Sequence, residues 1–347
     1  MQTKEHVLQI LEDNKGRSIS GAAIAEALSL SRAAVWKAIK ELRQSGYPID
    51  AATNRGYCLR PESDVLSPQG IARYFKEFLD PSASAMALEL PSPQLHVYSL
   101  LDSTNQEAKR LAADGAPHAT VIVAEEQSAG RGRLGRSFFS PKGCGIYISL
   151  LLKPAELGLS TSGLTLLTTA ASVAVASAVE DVLEKKLQIK WVNDLYFHGK
   201  KVCGILTEGI ASLETGTVDS VILGVGLNYK QPPEGYPEDI ASVATALLTS
   251  AEAEAHPCKN QLTAAVCCRL LSTLSSAADR RFLSAYKERS LLLGKPIRII
   301  RGHSQQDAIA LDIVENGGLL VRLSDDGSET VLTTGEVSIR PADGKTF

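Results

Sequence analysis

A segment that alternates arginine with glycine contains the residue types that most directly indicate chemistry in this chain. Three arginines and three glycines share the eight residues AGRGRLGR, 129–136. Arginine always carries its charge and offers a planar fork of donors to carboxylate or phosphate, and glycine lets backbone N–H groups come close to a ligand. The GRGRLG pattern also matches a dinucleotide fingerprint, but the FFSPKG that follows cannot open the helix that this fingerprint requires. We therefore interpret the segment as a loop that acts through its arginines.

Two further polar groups lie where strand-like apolar runs end. DSTN, residues 102–105, begins a helix, so its side chains are either helix caps or ligands, and capping is the ordinary role of serine or threonine there. KWVND, residues 190–194, places a lysine, an amide and a carboxylate close together, and GKK, residues 199–201, makes a hairpin turn. Each group alone also has a structural explanation, because turn lysines are ordinarily solvated.

The elements that must position these groups indicate a mixed α and β domain. Strand-like runs at 96–99, 120–125, 146–152, 187–191, 202–210 and 218–225 alternate with helical patterns near 105–113 and 164–184. A polar segment with two prolines precedes this domain, and short alternating strands with NGG and DDG turns follow it, which predicts a small β-barrel. The predicted boundaries are 1–60, 61–68, 69–292 and 293–347, and the predicted class is α+β.

The first sixty residues predict a DNA-binding module. Two short helices precede a third, which begins after Ser31 and carries basic residues outside its apolar face, and PIDAATNRGYCLR then alternates around Thr53 and Asn54 as a hairpin does. Helix, helix, basic helix and hairpin in this order are typical of a winged helix-turn-helix, although a small bundle with a solvated basic face is the alternative. The residues predicted to contact DNA are Ser31, Arg32, Trp36, Lys37, Lys40 and Arg55.

Composition limits the functions that the chain can have. The net charge of −3 excludes a general nucleic-acid coat, so DNA contact requires a local basic patch. The six cysteines have no zinc-site spacing, and the N-terminus has no signal-peptide pattern, so we predict a cytoplasmic protein with reduced thiols. Residues 157–179 carry no charge, but their many serines and threonines favour a buried core helix over a membrane span.

Four blocks in a fixed order resemble the biotin protein ligase family. They are DSTN, AEEQSAGRGRLGR, KWVNDLYFHGKKVCGILTE and GVGLN. With the N-terminal module they resemble the bifunctional members that also repress the biotin operon, and the resemblance extends over essentially the whole chain. Three positions depart from the usual pattern: Val192 is often proline, Leu134 is often arginine and Cys203 is commonly alanine. None of these departures removes an expected catalytic group.

This resemblance implies an activity with two steps. Biotin and ATP, with Mg²⁺, would give biotinyl-5'-adenylate and pyrophosphate, and the biotinyl group would then pass to one lysine of a biotin carboxyl carrier protein. It also implies operator DNA as a partner, a homodimer when the adenylate is bound, an SH3-like type for the C-terminal barrel and no membrane partner. The loop is expected to be mobile when empty and to close over the adenylate. No metal site built from protein ligands alone is predicted.

The same resemblance assigns roles to individual positions. Lys201 is expected to stabilise charge on the carboxyl and phosphate oxygens, Arg133 to retain the adenylate, and Asp194 to help bind nucleotide or metal and to orient or deprotonate the acceptor amine. The remaining predicted ligand contacts are Ser103, Thr104 and Gln127 on the ureido ring with Asn105 beside them, Arg131 and Gly132 in the loop, Phe138 over the adenine, Asn193 at the nucleotide, and Asn228 on the adenylate side.

Two other functions remain open from the sequence. One is a biotin-sensing repressor without transferase activity, which would have no need for the cations Arg131, Arg133 and Lys201. The other is a lipoate ligase, for which the ureido-binding group Ser103, Thr104 and Gln127 has no use. The sequence also leaves open whether the DNA-binding module is active or vestigial.

Overall fold

The computed structural model describes residues 3–52, 55–78, 93–157, 164–211, 218–301, 303–333 and 337–341. These residues form a helical module with a hairpin, a seven-stranded mixed sheet with helices, and a five-stranded antiparallel sheet. The prediction of an N-terminal helix-turn-helix and a central mixed sheet is therefore confirmed.

Serine residues cap two of the three helices in the N-terminal module. Its elements are α1 (Thr3–Asp13), α2 (Gly21–Ala27), α3 (Arg32–Gln44), β1 (Ile49–Ala52) and β2 (Gly56–Leu59). The hydroxyls of Ser20 and Ser31 accept hydrogen bonds from the backbone N–H groups of Ala23 and Ala34, at 3.0 and 3.1 Å, which satisfies donors that a helix start leaves unpaired. Apolar residues of all three helices and of the hairpin form a core of their own. The predicted turn at Thr53 and Asn54 lies outside the described residues.

The central domain is built on strands in the order β3-β4-β5-β9-β8-β7-β6. Its elements are α4 (Pro68–Phe78), β3 (Gln94–Tyr98), α5 (Thr104–Ala113), β4 (Thr120–Ala124), β5 (Gly145–Leu152), α6 (Leu164–Leu183), β6 (Gln188–Lys190), β7 (Asp194–Phe197), β8 (Lys200–Ala211), β9 (Val218–Asn228), α7 (Glu238–Ala241), α8 (Ser250–Ala255), α9 (Lys259–Ser275) and α10 (Phe282–Glu288). Strands β3 and β4 are parallel and the other described neighbours are antiparallel.

Helices cover both faces of the middle of this sheet, which explains why β4 and β5 are buried along their whole lengths. Helix α5 packs on one face against β4, β5 and β9, and α6 packs against α9 and β8 within the main core. The stretch Thr165–Leu183 of α6 is long and apolar enough to cross a membrane, but 72% of its apolar window is buried inside the protein. The uncharged segment therefore forms a core helix from residue 164 onwards, within the described residues, as its serines and threonines predicted.

The C-terminal strands form an open sheet among the described residues. They are β10 (Pro296–Arg301), β11 (Ser304–Ile313), β12 (Leu319–Leu323), β13 (Glu329–Leu332) and β14 (Val337–Pro341), in the order β13-β12-β11-β10-β14. Both predicted turns are present, with Gly317 and Gly327 at positive φ. The predicted closed barrel is not observed, because β13 and β14 lie at opposite edges with no described pairing between them. Apolar residues of this sheet, such as Ile297 and Val321, join the core of the central domain.

Candidate active site

A cleft lies between the glycine–arginine loop, residues 129–136, the start of α5 and the middle of strands β8 and β9. Its volume is about 1110 Å³ when the part open to solvent is included. Every residue predicted to bind ligand or to catalyse lines the cleft except Asn228. The side-chain amide of Asn228 instead donates to the backbone oxygen of Thr245, at 2.9 Å.

Glycines make the floor of the cleft flat enough for side chains to lie on it. Gly204 and Gly226 are paired opposite each other on β8 and β9. The ring of Phe138 lies directly on them, since a Cβ at Gly226 would come within 2.6 Å of Phe138 Cε1. A Cβ at Gly224 would lie 2.2 Å from the side-chain oxygen of Asn105. Gly224 and Gly226 have to be glycine because Asn105 and Phe138 occupy the space of their Cβ atoms, whereas a Cβ at Gly204 would lie 3.2 Å from Lys201 Nζ and needs only a small shift of that side chain.

The DSTN segment presents its polar groups to the cleft. Ser103 occupies the N-cap position of α5, yet its side chain makes no capping bond, so the capping explanation does not apply to it. The backbone N–H and the hydroxyl of Thr104 both donate to Gln127 Oε1, at 2.9 and 3.1 Å. Gln127 Nε2 donates to the hydroxyl of Ser140 at 2.9 Å. Ser103, Thr104 and Gln127 are thus brought together as predicted.

Asp102 holds the start of this segment in place. Its carboxylate accepts a hydrogen bond from the backbone N–H of Ser103, at 2.7 Å, and pairs with the guanidinium of Arg110. The hydrogen bond from Arg110 is the main cause that lowers the pKa of Asp102. Asp102 is therefore ionised at neutral pH and acts as a fixed acceptor.

The loop places Arg133 against the opposite wall of the cleft. A short 3₁₀ turn spans Arg133–Gly135, with Leu134 at a φ of 57°. The guanidinium of Arg133 donates to Asn193 Oδ1 at 2.9 Å, and Asn193 Nδ2 donates in turn to the backbone oxygen of Ile205. Burial lowers the pKa of Arg133, and the nearby Asp194 carboxylate acts in the opposite direction. An arginine so placed is still protonated, so it brings a positive charge into the cleft.

Lys201 and Asp194 form an ion pair in the hairpin of β7 and β8. Their Nζ and Oδ1 atoms lie 2.6 Å apart, and both side chains are partly buried. A contact between an ammonium and a carboxylate at this distance is a charge-assisted interaction, so Asp194 holds Lys201 Nζ in place at the cleft.

A magnesium ion fits this arrangement only in combination with phosphate groups. Among the described residues, no three His, Cys, Asp or Glu side chains lie close enough to hold a metal ion together. Asp194 is the one carboxylate among the described residues that line the cleft. Mg²⁺ is commonly held by one or two carboxylates plus the phosphates of its nucleotide, so Asp194 with a bound nucleotide would satisfy it.

The three departures from the family pattern leave the cleft intact. Cys203 and Val192 are completely buried, and Leu134 is half-exposed in the loop. Burial raises the pKa of the Cys203 thiol well above its usual range. The thiol is therefore protonated, and it adds no charge beside Lys201.

The DNA-binding prediction falls on an exposed surface of the N-terminal module. Its predicted residues on α3 and the hairpin, namely Ser31, Arg32, Trp36, Lys37, Lys40 and Arg55, are all exposed. Trp36 is 58% exposed, and Lys40 Nζ lies 5.4 Å from the centre of its ring. Arg43, in contrast, is occupied within the module, because its guanidinium donates to the backbone oxygen of Ile49 at 2.6 and 2.8 Å.

The sequence assigned no ligand contact to Lys190 and Trp191 of the KWVND block, although both line the cleft. Ser149 and Glu208, which support the side chain of Asn105, were not found from the sequence. The alternation along β8 was a usable signal for Glu208. Since successive side chains of a strand point to opposite faces, Gly204, Leu206 and Glu208 share one face.

Together the fold and the site define a helix-turn-helix module joined to a domain whose cleft brings Arg133 and Lys201 beside the polar groups of Ser103, Thr104 and Gln127. The description "Biotin/lipoate A/B protein ligase family" matches residues 97–228, and "HTH domain" matches residues 3–58. The bifunctional ligase/repressor BirA of Bacillus subtilis is 37% identical over 248 residues, which cover 72% of this chain and 71% of that protein.

Two further comparisons extend this result. The bifunctional ligase/repressor BirA of Escherichia coli is 28% identical over 331 residues, which cover 94% of this chain and 95% of that protein. The biotin protein ligase of Aquifex aeolicus, solved in complex with biotin and ATP, superposes with a TM-score of 0.59 and 29% identity, covering 72% of this chain and 99% of that one. This chain belongs to the biotin protein ligase family, and it carries the helix-turn-helix of the bifunctional ligase/repressors.

Proposed function

We propose that this chain activates biotin with ATP, transfers the biotinyl group to a carrier protein, and represses genes of biotin synthesis through its DNA-binding module. The observation that carries the proposal is the convergence of Arg133, Lys201 and Asp194 on one cleft beside the assembled Ser103 and Gln127. The Aquifex aeolicus ligase binds biotin and ATP on the same fold, and the Bacillus subtilis relative is a ligase and a repressor.

In the first step a carboxylate oxygen of biotin attacks the α-phosphorus of ATP. A bond forms between the carboxylate oxygen and the α-phosphorus. The bond between the α-phosphorus and the oxygen that bridges to the β-phosphate breaks, and pyrophosphate leaves with that electron pair. Two anions must approach each other, so fixed cations lower the barrier by offsetting their repulsion. Lys201 and Arg133 supply those cations, and Ser103, Thr104 and Gln127 orient the ureido ring. Mg²⁺, held by Asp194 and the phosphates, would neutralise charge on the nucleotide.

In the second step the amine of the acceptor lysine attacks the carbonyl carbon of the adenylate. An amide bond forms, the bond between the carbonyl carbon and the phosphate oxygen breaks, and AMP leaves. The attacking nitrogen loses a proton, and we assign its acceptance to Asp194, the carboxylate that lines the cleft beside Lys201. The acceptor is a biotin carboxyl carrier protein that presents one lysine.

The DNA-binding module makes the adenylate a signal as well as an intermediate. In this proposal a homodimer forms when the adenylate is bound, and α3 of each copy then enters the operator, which contains two half-sites. The protein works in the cytoplasm, and its C-terminal strands belong to an SH3-like module that supports the cleft through Trp191, whose indole N–H donates to the backbone oxygen of Gly317 at 2.9 Å.

Protein-bound adenylate is the product that tests the first step. The protein is mixed with MgATP and either biotin or lipoate, freed of small molecules by gel filtration, and analysed by mass spectrometry for the bound acyl-adenylate. We expect biotinyl-adenylate and no lipoyl-adenylate. Bound biotin that is never adenylated would overturn the ligase and favour a sensing repressor, and lipoyl-adenylate would favour a lipoate ligase.

A further inference from the structure

Glu208 lies at the junction between the two halves of the site and takes no part in the mechanism above. It stands on β8, with a side chain that is 19% exposed. Its Oε2 accepts a hydrogen bond from Asn105 Nδ2 at 2.7 Å, and its Oε1 accepts one from Lys109 Nζ at 2.8 Å. Arg131 Nη1 lies 3.7 Å from the same Oε1. One carboxylate therefore contacts two residues of helix α5, Asn105 in the cleft and Lys109, and also Arg131 of the glycine–arginine loop.

The contact with Asn105 fixes which way that amide faces. An ionised carboxylate can only accept hydrogen bonds, so the nitrogen of Asn105 must point at Glu208 and the oxygen must point away. The oxygen then accepts from the hydroxyl of Ser149, at 2.6 Å, and the same hydroxyl lies 2.8 Å from Thr104 Oγ1. Thr104 gives its own hydroxyl proton to Gln127, so Ser149 links Asn105 to the threonine of the ureido-binding group by close contact.

The contact with Arg131 fixes one end of the loop. The guanidinium of Arg131 also donates to Gln106 Oε1 at 3.0 Å, so it is held on the α5 side of the cleft. The base of the loop is closed by the bond between Gln127 and Ser140, and Arg133 is bonded to Asn193 on the opposite wall. Of these contacts only the one between Arg131 and Glu208 is a pair of opposite charges, so it is the one that a change in the charge of Glu208 would release.

The charge of Glu208 is maintained by its neighbours. Burial alone would raise the pKa of this carboxyl, but the hydrogen bonds from Lys109 and Asn105 and the charges of Lys109 and Arg131 outweigh burial and lower it. The carboxylate consequently stays ionised at neutral pH, which the two orientations above require.

We propose that Glu208 is a positioning residue that couples the ureido-binding side of the cleft to the glycine–arginine loop. It does so by orienting Asn105 and by holding Arg131 in its resting position. The part of this inference that concerns biotin rests on the proposed function. The part that concerns the loop does not.

Glu208→Gln separates the two roles from simple packing, because glutamine keeps the size but cannot accept with both atoms. We expect the Kd for biotin, measured by titration calorimetry, and the KM for biotin to rise about tenfold, as the loss of a hydrogen bond to a charged group predicts, with a smaller change in kcat. We also expect faster tryptic cleavage after the loop arginines. Glu208→Asp keeps the charge, so it should recover part of both effects.

The matched control is Glu180→Gln, which removes a partly buried carboxylate that pairs with Arg289 away from the cleft. It should leave biotin binding and loop cleavage as in the wild type. Wild-type values for both Glu208→Gln and Glu208→Asp would overturn the inference. If wild type binds no biotin, the proposed function fails, and the rate of loop cleavage still decides the role of Glu208. If Glu208→Gln does not fold, Glu208→Asp is compared with wild type by the same two measurements.

Discussion

Lys201 and its neighbour Lys200 show how position within one turn separates a lysine in the cleft, for which we propose a catalytic role, from a solvated lysine. Lys201 Nζ lies in the cleft, 2.6 Å from Asp194 Oδ1, whereas Lys200 is exposed and reaches only the backbone oxygen of Ala241, at 3.3 Å. The sequence motif favoured Lys201 but gave no distance, because the distance depends on a β-bulge between Leu195 and Tyr196 that shifts the register of the hairpin.

We expect Lys201→Ala to slow adenylate formation by about 100- to 1000-fold, the usual effect of removing one group that stabilises charge in the transition state. Pyrophosphate release in a single turnover, with saturating biotin and MgATP, measures this rate. Lys200→Ala is the matched control and should keep the wild-type rate. Equal rates for the two variants would contradict the role of Lys201.

At the residue scale the sequence was informative wherever a motif was continuous along the chain. Gln127 lies 23 residues after Thr104 in the sequence. The blocks that contain Ser103, Thr104 and Gln127 nevertheless indicated all three as ligand contacts, and all three line the cleft. Glu208 was missed because its partners Asn105 and Arg131 come from other elements, and only the packing of α5 on the sheet brings them together.

Helix α3 is the element that is predicted to read DNA, and its N-terminal half is exposed. Its apolar side is buried in the module through Val35 and Ile39, while Lys37 points away from that core. Lysines on such a helix contribute to affinity by displacing counterions from phosphates. A basic helix with a buried opposite face is therefore suited to dock on a duplex.

We expect Lys37→Ala to reduce the salt dependence of DNA binding by about one counterion, measured as the slope of log K against log salt by fluorescence anisotropy on a duplex of random sequence. Lys186→Ala removes a lysine that is 84% exposed on the central domain and should leave the slope unchanged. An unchanged slope for Lys37→Ala would place DNA elsewhere, and no binding by wild type would mean that the module is vestigial.

At the element scale the strands of the central sheet were predictable and several later elements were not. Alternating or continuous apolar runs indicated β3, β4, β5, β8 and β9 close to their observed bounds. Strand β7 was missed because it has only four residues and begins at Asp194, the last residue of the polar KWVND block. Helix α9 is buried around most of its circumference, so its sequence has little of the polar and apolar periodicity that marks a surface helix.

Partly buried polar contacts join the central domain to the linker and to the DNA-binding module. Asp64 accepts hydrogen bonds from the backbone N–H groups of Lys259 and Asn260 at the start of α9, at 2.5 and 3.0 Å. The guanidinium of Arg73 donates to the backbone oxygen of Glu12, at 2.8 Å. The side chain of Glu12 is itself almost completely buried, and its Oε2 has no hydrogen-bond partner among the described residues.

Burial raises the pKa of Glu12, although Lys15 and Arg73 act in the opposite direction. The folded state therefore binds this proton more tightly than the unfolded state, so Glu12 makes the free energy of unfolding fall as pH rises from the ordinary carboxyl pKa through the raised one. We expect Glu12→Gln to gain melting temperature relative to wild type over that pH range, measured by scanning calorimetry. Asp13→Asn, an exposed neighbour, should show no such gain. A difference between Glu12→Gln and wild type that does not change with pH would contradict the raised pKa.

At this scale the order of modules was predictable, because each had its own pattern of periodicity and turns. The closure of the C-terminal barrel was not, since closure depends on pairing between edge strands and not on the alternation within each strand. The sequence likewise gave no sign that the C-terminal turn at Gly317 would bond to Trp191 at the cleft.

The mass of a biotin carboxyl carrier domain after incubation with this protein, biotin and MgATP tests the central claim most directly. We expect one added biotinyl group on one lysine with the wild-type protein. Arg133→Gly removes the side chain that donates to Asn193, and with this variant we expect biotinyl groups on additional lysines, because the adenylate escapes before transfer. A carrier domain that gains no mass from wild-type protein with bound biotin would contradict the ligase function.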